Sequence, residues 1–565
     1  MAWSDDLEGV HRDIAADPKA PVHVLAGPGT GKTFAMMRRI ARLLEAGVPP
    51  DRILAVSFTR TAAHDLQAQL VNLNAPGAIK VNATTLHALC FRVLAEETVF
   101  AITGRTARPL MSYEIEQMVN DLAAAFGGKK AVRQLREAYE AAWARMQHED
   151  PGSPRSSEDQ KFEAALLEWL HYHRAMLIGE LVPVALNFIN QNPGHEVLPP
   201  YDAVLADEYQ DLNRADQALV ESLAEKGELT VIGDDNQSIY SFRHAHPEGI
   251  RVFPTEHPGT VEYVIDECRQ CPPNVVAMSN ALLAHDPAAR PAPLSSMPGR
   301  APARVIILQH ASVEEEADVV AAFIDRYLSD QPDLPPGQVL VLSPRRLMGN
   351  AVKDALIRRR RNALSYFWED AVDSDAAAEG LCLLTLAVEG TDRAAYRAWL
   401  GIGHDKGHAP AYARIRARAE ADGVEPRAIV EQLVAGTLKV NHTGGLATRH
   451  QALIARGATL GALEGLALVD ALWPPGDEDT QTIRLAAQNL AVQHAKPADL
   501  LRELREVITQ PELPSPEGDV IRVMSLHKSK GLTAALVVVV GCVSGAIPTV
   551  DPSLPKAEHD ATWRE

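Results

Sequence analysis

The chain has 565 residues, 46% of them apolar, and its 55 Lys and Arg against 74 Asp and Glu give a formal net charge of −19. That length exceeds a single core and predicts about three or four domains, while the acidic balance excludes a uniformly basic coat but not a locally basic groove. Five cysteines exclude a disulfide scaffold, and neither a signal peptide nor a bilayer-spanning apolar run is visible, so a cytoplasmic protein is expected.

The first strong feature is an apolar strand at 22–26 that runs into Gly27-Pro28-Gly29-Thr30-Gly31-Lys32-Thr33. A helical pattern follows from residue 32 to about 46 and stops at Gly47. The glycines let the backbone wrap round a polyphosphate, and the helix start adds a favourable dipole. Lys32 would reach the outer phosphates and the Thr33 hydroxyl would complete a Mg²⁺ shell. Ala26 stands where the strict pattern has Gly, a mild departure, because Gly27, Gly29 and Gly31 supply the curvature.

A second strand is expected at 53–58, then a helix to about 70, then a short strand leading into Thr84-Thr85-Leu86-His87 and another helix. From 91 to 187 long Ala/Leu/Glu/Arg patterns replace strands and read as a helical insertion, with a polar loop at 148–154. Strands resume at 201–206 and 229–233. Further strands are expected at 305–308 and 339–342, with helices at 313–327 and 348–361. The last of these ends in four arginines, 358–361, which read equally as phosphate contacts or as a solvated helix end. Residues 376 to 512 are again helical, and strands close the chain at 520–525 and 536–540. Strands alternating with helices, apolar on both faces, predict α/β architecture with parallel sheets.

Asp207 and Glu208 end a buried strand, where Asp207 could hold Mg²⁺ and Glu208 could deprotonate an attacking water. In isolation such a pair would be an ordinary surface feature. Gln237, at the next strand end, could sense a γ-phosphate. Tyr240, Phe242 and Arg243 follow, either as a stacking platform for unpaired bases or as core. Phe58, Thr59, Arg60, Thr85 and His87 sit at strand ends and suit backbone-phosphate contacts or helix caps. Cys268 and Cys271 form a lone CxxC with no second ligand pair nearby.

The ordered set AGPGTGKT (26–33), AVSFTRTAAHDL (55–66), TTLHALC (84–90), VLADEYQD (204–211), VIGDDNQSIYSFR (231–243) and VMSLHKSKGL (523–532) resembles the UvrD/Rep-like superfamily 1 DNA helicases. The resemblance implies two RecA-like P-loop motor domains, each carrying a mainly helical inserted subdomain. Their limits would be 1–90, 188–262, 263–375 and 514–565 for the motor segments, with insertions at 91–187 and 376–513. It further implies ATP and Mg²⁺ at the interdomain cleft and 3′-to-5′ movement along single-stranded or 3′-tailed DNA. Residues 26–33 (Ala26, Gly27, Pro28, Gly29, Thr30, Gly31, Lys32, Thr33), Gln237, Arg269 and Gly531 would bind nucleotide. Thr33 and Asp207 would hold the metal, Glu208 would be the base, and Lys32, Gln237 and Arg269 would serve catalysis. Phe58, Thr59, Arg60, Thr85, His87, Tyr240, Phe242, Arg243, His527 and Ser529 would line the DNA path.

Four departures stand out. His11 takes the place of an adenine-reading glutamine, Glu267-Cys268-Arg269 lacks the usual aromatic, and Thr533 replaces a ribose-binding glutamate. The family's last motif, with a second arginine, would begin at Trp563-Arg564-Glu565, and no residue can be assigned to it. Two expectations follow: a DNA translocase, or a nucleotide-gated DNA-binding module whose weak hydrolysis needs a partner or a further C-terminal segment.

Overall fold

A computed structural model describes residues 3–5, 7–18, 20–147, 156–198, 200–285, 293–367, 371–509 and 516–547. The polar loop at 148–154 and Trp563-Arg564-Glu565 lie outside them, as does the side chain of Phe242.

The first sheet is built from β1 (Val22–Ala26), β2 (Ile53–Ser57), β3 (Asn82–Thr85), β4 (Ala203–Ala206), β5 (Glu228–Gly233) and β6 (Val261–Ile265). All pairings are parallel, in the order β3-β2-β4-β5-β1-β6. Apolar runs such as Ile-Leu-Ala-Val in β2 are buried along their whole length because helices cover both faces. Alternation divides each strand between the two layers: Ile53 and Ala55 pack with the helices Lys32–Glu45 and Arg60–Asn72. Leu54 and Val56 pack with Leu86–Ala95, Leu181–Gln191 and Arg214–Leu223. The sheet runs to Ile265, three residues past 262, and helix Leu181–Gln191 crosses 187 while packing on this core.

Beyond it, β7 (Glu267–Cys268) pairs with β8 (Ser295–Ser296). The second large sheet comprises β9 (Val339–Ser343), β10 (Ala363–Ser365), β11 (Ile521–Ser525) and β12 (Leu536–Val539), all parallel in the order β10-β11-β9-β12. Helices Val313–Asp330 and Arg346–Arg358 cover one face through Ile324, Leu328, Val352 and Leu356. The strand expected at 305–308 does not form. These four apolar residues pair with no described strand, and Ile307 is 89% exposed. An apolar run becomes a strand only when an edge receives its backbone groups. Of the arginines at 358–361, Arg358 pairs with Asp318 at 2.8 Å and Arg361 with Asp325 at 2.7 Å.

The helices between 112 and 173 pack round a core of their own, whereas those between 375 and 509 pack round one that continues onto Leu340, Leu342 and Met524 of the second sheet and takes in Met111 and Tyr113. They are tied together by Arg108 with Asp392 (2.9 Å) and by Arg397, which reaches Asp121 at 2.6 Å. Among the described residues, no helix is long and apolar enough to cross a membrane.

Candidate active site

The turn after β1 is shaped by two glycines that no other residue would replace without strain: Gly29 at φ +68° and Gly31 at φ +89°. The Thr30 hydroxyl donates to the Gly27 carbonyl at 2.8 Å and closes the turn. Behind it, His11 Nε2 lies 2.9 Å from the Thr30 carbonyl, which can only accept, so Nε2 carries the proton. Burial pushes the His11 imidazole below its usual range, consistent with that neutral form. The following helix makes its first own bond from Ala35 N–H to the Gly31 carbonyl (3.1 Å), which leaves earlier N–H groups without intrahelical partners. Lys32 and Thr33 are half-buried at this helix start, and Phe34 beside them is exposed. Such a cradle fits a polyphosphate.

Lys32 Nζ lies 2.9 Å from Glu208 Oε1. Although burial opposes it, the Glu208 and Asp207 carboxylates hold the Lys32 ammonium above its usual range. Glu208 itself adopts φ +54°, a left-handed conformation that is costly outside glycine and typical of a constrained turn at a site. Its second oxygen accepts from Gln210 Nε2 at 2.6 Å, while Gln210 Oε1 accepts the Asp234 N–H at 3.0 Å. Gly233 is required here because a Cβ would stand 2.1 Å from Gln210 Oε1. Burial and the neighbouring Glu208 push Asp207 up, whereas Lys32 and Lys530 pull Glu208 down against its own burial. Two adjacent carboxyls are thus driven apart, Glu208 to the charged form and Asp207 toward the protonated one. The buried Asp207 is a carboxyl from which a divalent cation would displace that proton. Gln237 donates from Nε2 to Asp234 Oδ2 at 2.8 Å, close to the same strand ends.

The second sheet reaches this cluster through Lys530, which follows β11. Lys530 Nζ donates to the Gln237 carbonyl at 2.8 Å and to Asp211, and lies 3.6 Å from Glu208 Oε2. Lys530, Gln210, Asp211 and His11's hold on the loop are features of this site that sequence reasoning missed. The signal for three of them lay inside quoted motifs, DEYQD and HKSKGL. Arg269 meets the loop from the other side: its N–H donates to the Gly29 carbonyl at 2.8 Å, and its half-exposed guanidinium lies 3.9 Å from Glu267. Gly531 has φ +79°. Thr533 offers its carbonyl to Arg522 at 3.1 Å.

The residues expected along a nucleic-acid path form a second cluster. Phe58 and Tyr240 pack with ring centroids 4.7 Å apart, and the Arg243 guanidinium lies 5.8 Å from one ring and 5.9 Å from the other. Tyr240 is buried, and its hydroxyl donates to the His527 carbonyl at 3.3 Å. Thr59 and Thr85 each cap a helix, accepting from Ala62 N–H and Ala88 N–H at 3.2 Å. Arg60 pairs with Glu506 of the helix Pro497–Thr509. His87 is lowered by burial, with Asp216 opposing and Arg243 adding to the shift. Ser529 donates to the Leu526 carbonyl at 2.7 Å.

Residues 8–258 match the UvrD/REP helicase N-terminal domain. The ATP-dependent DNA helicase UvrD2 of Mycobacterium tuberculosis is 30% identical over 377 residues, covering 60% of this chain and 51% of that protein. UvrD1 of the same organism is 27% identical over 382 residues, 63% of this chain and 49% of its own length. PcrA of Staphylococcus epidermidis is 27% identical over 293 residues, 48% of this chain and 39% of its own. The chain spans about half the length of the mycobacterial relatives it matches.

Proposed function

We propose, for a chain whose residues 8–258 match the UvrD/REP helicase N-terminal domain, that it is an ATP-driven motor on single-stranded DNA. The observation that carries this reading is the cluster shared by the two sheets. Glu208 lies between Lys32, beside the first sheet, and Lys530, which follows a strand of the second, and Lys530 also holds Gln237 by its carbonyl.

In the proposed cycle the loop N–H groups and Lys32 bind the β- and γ-phosphates of ATP. Lys32 thereby exchanges its Glu208 partner for phosphate. Glu208, charged and freed of that partner, orients water and accepts its proton. Thr33 and Asp207 would hold Mg²⁺, which supplies charge neutralisation on the phosphates when bound. Gln237 lies a few residues from Tyr240, so a shift at the γ-phosphate is passed to the Phe58–Tyr240–Arg243 cluster. Base stacking there, with Arg60, His87 and Ser529 at the sugar-phosphate backbone, gives sequence-independent grip. Movement is proposed to run 3′ to 5′, engaging 3′-tailed duplexes.

The test is ATP turnover with and without single-stranded DNA, together with unwinding of 3′- and 5′-tailed duplexes. Stimulation by DNA and preference for the 3′ tail are expected. DNA-independent turnover would reject the motor reading, and a 5′ preference would reject the direction.

A further inference from the structure

Cys268 and Cys271 are taken up by no step of the proposed cycle, yet they lie against the nucleotide loop. The Cys268 sulfur lies 3.1 Å from where a Cβ on Gly29 would stand, so it fills the space this glycine leaves open. The next residue, Arg269, donates its N–H to the Gly29 carbonyl at 2.8 Å. Cys268 is buried, and its carbonyl accepts from Met297 N–H at 3.2 Å. Cys271 is half-buried and immediately precedes Pro272 and the helix Pro273–Leu283. Its N–H donates to the Cys268 sulfur at 3.4 Å, so the CxxC turn folds Cys271 back over that sulfur. The turn already brings both sulfurs together, with one reachable from solvent and the other shielded beneath it.

We propose that Cys268 and Cys271 form a reversible thiol–disulfide modification site that controls how tightly the adjacent loop binds nucleotide, with low-molecular-weight disulfides such as oxidised glutathione as its reactants. The Cys271 thiolate attacks one sulfur of the disulfide, forming a mixed disulfide and releasing one thiolate. The Cys268 thiolate then attacks the Cys271 sulfur, closing the intrachain bond and releasing the second. In total the two cysteines lose two protons and two electrons, and one disulfide is reduced to two thiols. Burial pushes the Cys271 thiol above its usual range, so exchange runs faster as pH rises.

A covalent S–S bond of about 2.0 Å fixes both sulfurs in one narrow geometry. Closing it repositions the Cys268 sulfur that packs against Gly29 and constrains the turn that holds Arg269, whose backbone is bonded to the loop. This binding effect rests on the reading of residues 26–33 as the nucleotide loop, but disulfide formation does not.

The experiment uses the full chain with Cys542→Ser, because Cys542 is the exposed thiol among the described residues. The protein is equilibrated with oxidised or reduced glutathione, peptide-mapped, and titrated with a fluorescent ATP analogue. The expected result is a Cys268–Cys271 disulfide that weakens binding about fivefold, the change that about 1 kcal/mol produces. Reductant should reverse it, and Cys271→Ser should be indifferent to oxidant. A stable mixed disulfide without ring closure, or ring closure with unchanged affinity, would overturn the proposal. If reduced protein shows no nucleotide binding at all, the loop reading fails instead, and peptide mapping still decides the disulfide.

Discussion

Lys530 Nζ lies 3.6 Å from Glu208 Oε2, although the two belong to different sheets and stand more than 300 residues apart in sequence. The carboxylate at the first sheet's edge therefore faces a cation supplied by the second. A charge placed across a cleft is useful to a reaction that builds negative charge in that cleft.

Replacing Lys530 by Met should lower ATP turnover about 100-fold, the scale on which a single preorganised charge acts, with nucleotide affinity changed much less. Steady-state kinetics and a binding titration separate these effects. An equal loss in both would assign Lys530 to binding alone.

Lys32→Ala and Glu208→Gln should both abolish turnover, yet differ in stability. Removing Lys32 takes the shorter of its two lysine contacts from a largely buried carboxylate, and breaking such a pair costs about 3–5 kcal/mol when fully buried. Glu208→Gln leaves both the Lys32 and Lys530 ammoniums without that carboxylate, whereas in Lys32→Ala the carboxylate keeps Lys530. Thermal unfolding should therefore place Glu208→Gln below Lys32→Ala, and the reverse order would show that the neighbouring carboxylates neutralise the lysines.

Burial pushes Asp211 up to about 7 from an ordinary 3.8, outweighing the pull of Lys530. A carboxyl raised by folding binds its proton more tightly in the native state. Its contribution is complete below about 4 and is lost as pH rises through about 7. The nucleotide-free chain should lose stability across that window, and Asp211→Asn should flatten this part of the profile. Melting temperatures between pH 5 and pH 8 measure the difference, and identical slopes in the two proteins would contradict it.

Tyr240→Ala should weaken single-stranded DNA binding by about 1–3 kcal/mol, as loss of a stacking ring does. Arg243→Ala should instead reduce the salt dependence of binding by about one charge. Fluorescence anisotropy at several salt concentrations distinguishes the two. Because Tyr240 is buried against Phe58 and bonded to His527, Tyr240→Phe tests whether releasing that bond alone raises DNA affinity.

Much of the first sheet was legible because Val22–Ala26 and Ile53–Ser57 are apolar strands with turn chemistry at their ends. Residues 305–308 carried the same local signal, but strand formation also needs an edge to pair with, which composition does not encode. Lys32, Asp207, Glu208 and Gln237 were readable as strand-end residues. Lys530 was not, since its partners lie 293 and 319 residues away and only tertiary packing joins them. Thr59 and Thr85 supported two readings, and the capping bonds are now seen directly. His11 stands where the family resemblance places a base-reading glutamine, and its Nε2 bonds the Thr30 carbonyl, a contact with no signature in the sequence.

That last bond gives the front of the chain an unexpected duty. The helix Gly9–Ala16 acts as an outside brace on the turn, and its imidazole is the pin. Shaving the chain back past residue 11, or lodging a bulky tag against that helix, should loosen the phosphate turn while leaving every motif in it intact.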